Sequence, residues 1–112
     1  RAHQNYFLDH PQPAFDLTRQ VGSDWVKVLY DIYHMQLMAG NVVKTLEENM
    51  DQLGYIHLAD VPGSHEPGTG ELHCSNILKA LDSMGYAGFV GFELLPAETD
   101  EKAFKAIKGI WI

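Results

Sequence analysis

Three side chains able to bind a metal or move a proton lie towards the C-terminal ends of short apolar runs. Asp31 follows the run 25–30, His57 sits inside 55–59, and Glu93 sits inside 89–94. An ionised carboxylate among apolar neighbours is expensive unless it is paired or bound to a cation. Two carboxylates and an imidazole make an oxygen and nitrogen donor set suited to Mg²⁺ or Mn²⁺, and also to Co²⁺ or Zn²⁺. Each residue also has a plainer reading. Asp31 can cap a following turn, His57 can be a hydrogen-bonded core histidine, and Glu93 can be half of a buried salt bridge. One such residue on each run is harder to ascribe to coincidence. His34, three residues past Asp31, can reach the same place. Asp60 and His65 rank lower, because they sit at a Gly- and Pro-rich loop where solvated polar groups are ordinary. Glu71 precedes a helical run and reads as its N-terminal cap. His3, His10 and His73 belong to no motif.

The three runs are rich in β-branched and aromatic residues and lack strict alternation, the pattern of strands covered on both faces. Helical spacing fills the gaps between them. Val42, Val43, Leu46 and Met50 share one face of the first such segment, with Glu47, Glu48 and Asp51 largely opposite. Ile77, Leu78, Leu81 and Met84 form the second stripe, which Gly85 ends in a left-handed cap. An earlier helix runs over 15–21 to Gly22, and Phe104, Ile107 and Trp111 mark a last one. Strand–helix alternation predicts βαβ units and a parallel sheet with right-handed crossovers. An open three-layer sandwich and the C-terminal portion of a (β/α)₈ barrel both fit. Parallel strands bring their C-terminal ends to one rim, where the active sites of such barrels lie. Three strands also leave two edges that need partners. The stretch 61–71, with Pro62, Gly63, Pro67, Gly68 and Gly70, is the longest irregular segment, and long ordered loops are often functional.

Composition narrows the classes further. The 112 residues carry a formal charge of −7, which argues against a nucleic-acid partner held by Lys and Arg. No apolar run approaches the length that spans a bilayer, and no signal segment opens the chain. Cys74 is the single cysteine, which excludes an internal disulfide and a thiol-rich zinc site and points to a reducing, cytoplasmic setting. The chain opens at Arg1 without Met and stops at Ile112 inside a helical pattern, as a piece of something longer would.

Four motifs, in order, carry a family resemblance: Tyr30-Asp31-Ile32-Tyr33-His34-Met35-Gln36, His57-Leu58-Ala59-Asp60-Val61-Pro62-Gly63, His65-Glu66-Pro67-Gly68-Thr69-Gly70-Glu71 and Gly91-Phe92-Glu93. They resemble the hydroxypyruvate isomerase branch of the xylose isomerase-like barrels, a superfamily that includes ketose 3-epimerases. Asn5-Tyr6-Phe7-Leu8 is similar to the stretch after the family's fifth strand. The resemblance implies a TIM barrel of which residues 1–112, one partial domain, hold the last three strands. It implies a divalent cation held from the ends of strands five to eight, with Asp31, His57 and Glu93 as the last three ligands. The first, a Glu, would precede Arg1. By the same resemblance His34 contacts substrate, and Glu93 shares proton transfer with the strand-five Glu. Where the family usually has a substrate-binding Arg, this sequence has Ser64. The implied reaction is a 1,2-proton shift through an ene-diolate on a small hydroxy-keto acid or sugar, such as hydroxypyruvate to tartronate semialdehyde. A 3-epimerase, a dehydratase or a non-catalytic fragment or pseudoenzyme are the alternatives. The segment alone is expected to be inactive and to pair its strand edges with another copy or a partner chain that completes the barrel.

Overall fold

The computed structural model describes residues 10–110. The Asn5-Tyr6-Phe7-Leu8 stretch, His3 and Trp111 lie outside them. The element order is α1 (Pro11–Val21), β1 (Val28–Asp31), α2 (Ile32–Met38), α3 (Val42–Glu48), β2 (Leu53–His57), α4 (Cys74–Ser83), β3 (Val90–Gly91) and α5 (Asp100–Ile110). The strands form one parallel sheet in the order β1-β2-β3, as the strand–helix alternation predicts. Among the described residues no helix is long and apolar enough to cross a membrane.

Local chemistry explains the helix limits. Pro11, whose φ is fixed near the helical value, starts α1, and Gly22 ends it at φ 67° with its N–H on Thr18 O. Past α4, the Gly85 N–H reaches Asp82 O and the Tyr86 N–H reaches Leu81 O, with Gly85 at φ 83°. That is the left-handed stop its position predicts. His73, not Glu71, caps the start of α4, its Nδ1 accepting from the Asn76 N–H at 3.1 Å. Glu71 is exposed and uses its own N–H on Val61 O. The segment after Asp31, expected as a turn or loop, is the helix α2.

Tyr30 and Ile56 are register partners on β1 and β2 and point to the same face. There they meet Phe15, Leu46, Ile77 and Leu81 from the helices in one buried cluster, with Phe15 stacked on Tyr30 at 6.2 Å. The alternate residues Leu29, Asp31, Tyr55 and His57 project the other way. Within the described residues the helices cover one face of the sheet, and Leu29 on the opposite face is 54% exposed. The last helix departs from its expected stripe: Ala103 is its buried residue, and Phe104 is 69% exposed. Phe104 and Ile107 instead border an open cavity of about 440 Å³ with Phe92 and Leu94.

Ile56, fully buried at the centre of the sheet, is the most sensitive test of this packing. Ile56→Ala is expected to lower stability by about 2–5 kcal/mol through lost transfer energy and a residual cavity. Urea unfolding checks it.

Candidate active site at the strand rim

β1 ends on Asp31, whose register partner is His57, and His57 in turn pairs with Gly91 of β3. Neighbouring strands run about 4.8 Å apart, so the sheet itself sets the spacing of this row. Glu93 lies two residues beyond Gly91. The side chains assemble as two pairs. Asp31 Oδ2 lies 2.8 Å from His34 Nδ1, and Asp31 Oδ1 accepts the His34 backbone N–H at 3.2 Å. Asp31 is therefore the N-cap of α2, the plainer reading of its sequence position, and it orients the His34 ring as well. His57 Nδ1 lies 3.2 Å from Glu93 Oε2. Tyr33 and Tyr55 set their rings edge-on against His34 and His57, each at 5.1 Å. Asp31, Tyr33, His34, Ser64, Glu93 and Leu95 surround a cavity of about 240 Å³. The Glu93 side chain is 76% exposed, against 22% for His57, so it is the member of its pair that a ligand can reach. The donors are oxygen and nitrogen, of the type a divalent cation accepts. Among the described residues no three His, Cys, Asp or Glu gather closely enough to hold an ion. Tyr30 faces the helix-side core, away from the rim, and burial pushes its phenol up to about 12.

Asp60 and His65 are more engaged than loop residues usually are. Asp60 is 1% exposed, and its carboxylate accepts four backbone N–H groups. Oδ1 takes those of Val61 (2.8 Å) and Leu72 (2.9 Å), and Oδ2 those of Gly68 (2.9 Å) and Gly70 (3.0 Å). Its backbone also pairs with His65 across an antiparallel bridge. A Cβ on Gly70 would fall 1.8 Å from Val61 O, so the loop closes this tightly only with glycine there. The signal for a buried Asp60 was in the sequence: the apolar run from Tyr55 continues through Ala59 to Val61, so the carboxylate between them faces inward. His65 Nδ1 donates to Leu95 O at 2.5 Å, and Glu66, 5% exposed, accepts the Ala97 N–H at 2.8 Å.

A family model described as xylose isomerase-like TIM barrel matches residues 1–110. The chain belongs to that family. It is similar to the hydroxypyruvate isomerase of Escherichia coli (strain K12), 36% identical over 100 residues that make up 89% of this chain and 39% of that protein. It is also similar to the 2-oxo-tetronate isomerase of Cupriavidus necator, 35% identical over 91 residues, 81% of this chain and 35% of that protein. Among solved structures it superposes on an AP endonuclease, family 2, from Brucella melitensis with a TM-score of 0.87 and 33% identity, over 93% of this chain and 40% of that one. The chain thus spans less than half the length of the relatives it matches.

Two groups around the barrel's 60–72 loop yield direct tests. Cys74 is buried, and that burial, reinforced by the Asp60 carboxylate, pushes its thiol up to about 11. The thiol is therefore expected to ignore a disulfide reagent at about pH 8 until denaturant exposes it. A stoichiometric colour change without denaturant would contradict this. The Ala97 amide holds the Glu66 carboxyl below its ordinary 4.5. A carboxyl lowered in the fold stabilises it fully above its ordinary value, and that stabilisation is lost as pH falls through the lowered one. The unfolding midpoint of the natural protein should therefore keep a constant offset from that of Glu66→Gln above pH 4.5 and converge on it below.

Proposed function

We propose that residues 1–112 are one part of a single barrel domain, and that the whole protein is an isomerase acting on a small hydroxy-keto acid of the hydroxypyruvate type. The observation that carries this reading is the Glu93 carboxylate, exposed at the rim 3.2 Å from His57 and beside the cavity that holds the Asp31–His34 pair. Its support is the identity to curated isomerases at 35–36% over most of the chain. Glu93 and the strand-five Glu share the removal of the proton from the hydroxyl-bearing carbon and its return to the neighbouring carbon, while the hydroxyl proton passes to the former carbonyl oxygen. The transfer needs an accessible carboxylate within hydrogen-bond reach. The substrate left between the two transfers is an ene-diolate. His34, its ring held through Nδ1 by Asp31, donates a hydrogen bond to a substrate oxygen. Asp31, His57 and Glu93 do not gather closely enough by themselves here. Joined by the strand-five Glu in the whole barrel, they would hold a divalent cation, Mg²⁺ or Mn²⁺ with Co²⁺ or Zn²⁺ as substitutes, which would supply positive charge to stabilise the ene-diolate. The sheet edges at β1 and β3 are completed by the rest of the barrel, from the same chain or a partner.

Glu93→Gln in the full-length protein is expected to lower kcat on hydroxypyruvate by about 10²- to 10⁴-fold. Mn²⁺ titration followed by electron paramagnetic resonance should lose its bound signal on Asp31→Asn or His57→Leu. A substrate panel decides between branches: conversion of hydroxypyruvate or a 2-oxo-tetronate supports the reading. Turnover confined to 3-epimerisation of ketoses would replace it.

A further inference from the structure

The segment that carries Glu93 has little of its own to hold it. β3 ends at Gly91, whose carbonyl accepts the Leu58 N–H at 2.8 Å, and residues 92–96 adopt no regular structure. Apart from the His57–Glu93 pair, the ties described for residues 92–97 all come from one short stretch of the 60–72 loop. Ser64 O accepts the Leu95 N–H at 2.7 Å, His65 Nδ1 donates to Leu95 O at 2.5 Å, and Glu66 Oε1 accepts the Ala97 N–H at 2.8 Å. Three consecutive loop residues thus fasten the chain two to four residues after Glu93. None of the three is held by a helix or a long strand. Their placement depends on the turn that closes around the Asp60 carboxylate, where donors from Val61, Gly68, Gly70 and Leu72 converge on two oxygens. The Ser64 N–H also bonds back to Asp60 O at 3.0 Å, and Ser64 itself sits at φ 60°, a left-handed conformation a serine rarely adopts.

We propose that Asp60 is a positioning residue for Glu93: by closing the 60–72 loop it sets the Ser64–Glu66 clamp that fixes where the Glu93 carboxylate stands against His57 and the rim cavity. This rests on the reading of Glu93 as the proton-transfer group. The geometry gives a sharp way to break it. In Asp60→Asn one oxygen becomes an NH₂ group, so one pair of backbone donors meets a donor whichever way the amide turns. The loop loosens while the sheet and its helices keep their packing.

The test uses the full-length protein and two readouts. Asp60→Asn is expected to lower kcat on the order of 10²-fold, the scale of an ångström-sized misplacement of a reacting group, with KM changed less than about threefold. Backbone amide exchange at Leu95 and Ala97 should accelerate at least about tenfold, while Ile56, bonded to Phe89 O in the sheet, keeps its protection. A kcat equal to that of the natural protein, or unchanged exchange at Leu95 and Ala97, overturns the proposal. So does equal loss of protection at Ile56. Should Asp60→Asn fail to fold, the Glu66 pair decides. Glu66→Leu removes one arm of the clamp and is expected to lower kcat about tenfold, whereas Glu66→Gln keeps an acceptor oxygen and restores it. Equal kcat in both overturns the clamp. If the natural protein converts no substrate, the proposed function fails, and the exchange pattern in Asp60→Asn alone decides whether Asp60 fixes the segment.

Discussion

A charge buried away from water must find its hydrogen bonds inside the protein, and the Asp60 carboxylate finds four of them in a single loop. That demand shapes the loop between β2 and α4. The Val61, Gly68, Gly70 and Leu72 amides must converge, so the chain between them folds back on itself rather than running out into solvent. Gly70 is fixed by the same closure, because its Cα stands where any side chain would strike the Val61 carbonyl. The Glu71 N–H donates to that carbonyl, and His73 caps α4. Cys74 and Ile77 of α4 then enter the core. One carboxylate thus joins the rim of the sheet to the helix that covers it.

The sheet supplies the complementary constraint. Parallel pairing with Tyr30 opposite Ile56 sends the core-facing residues towards the helices and leaves Asp31 and His57 side by side on the other face. A shift of one residue would exchange the two sets and bury the rim groups in the core. The hydrophobic preference of Tyr30 and Ile56 for the helix layer therefore also fixes the chemistry of the opposite face. Leu29 and Tyr55 share that face with the rim residues, in keeping with a barrel whose interior lies on that side.

Much of this was legible in the residues. Continuous apolar runs mark the strands, period and cap residues mark α1, α3 and α4, and the strand ends place Asp31 beside His57. The expected gathering of these two with Glu93 is seen among the described residues as two separate pairs. The strands proved shorter than their runs, with β3 reduced to Val90–Gly91, because an apolar run reports burial while a ladder reports backbone pairing. The helix α2 leaves no sequence signal, since it begins directly after the strand's last residue with no loop to announce it. Phe104 was misplaced because helical spacing says which residues share a face and not what that face meets. For Asp60 the apolar run marks the burial but not the bonding. Its partners are backbone amides up to twelve residues away, and backbone donors leave no mark in a sequence.

The two His–carboxylate pairs at the rim differ in a way that bears on how such a site can work. In one, Asp31 is anchored twice, as the last residue of a strand and as the cap of a helix, so its partner His34 inherits a fixed orientation. In the other, His57 is anchored by the strand but Glu93 lies beyond the last ladder bond, and its side chain is mostly open to solvent. A group that must hold its place is best built on a regular element, and a group that must meet a substrate and exchange a proton needs access and room to adjust. Regular structure cannot give both. A strand that stops early, followed by a segment fastened from outside by a closed loop, comes nearer to doing so. Glu93 keeps the freedom of an irregular backbone while its segment is tied down within four residues.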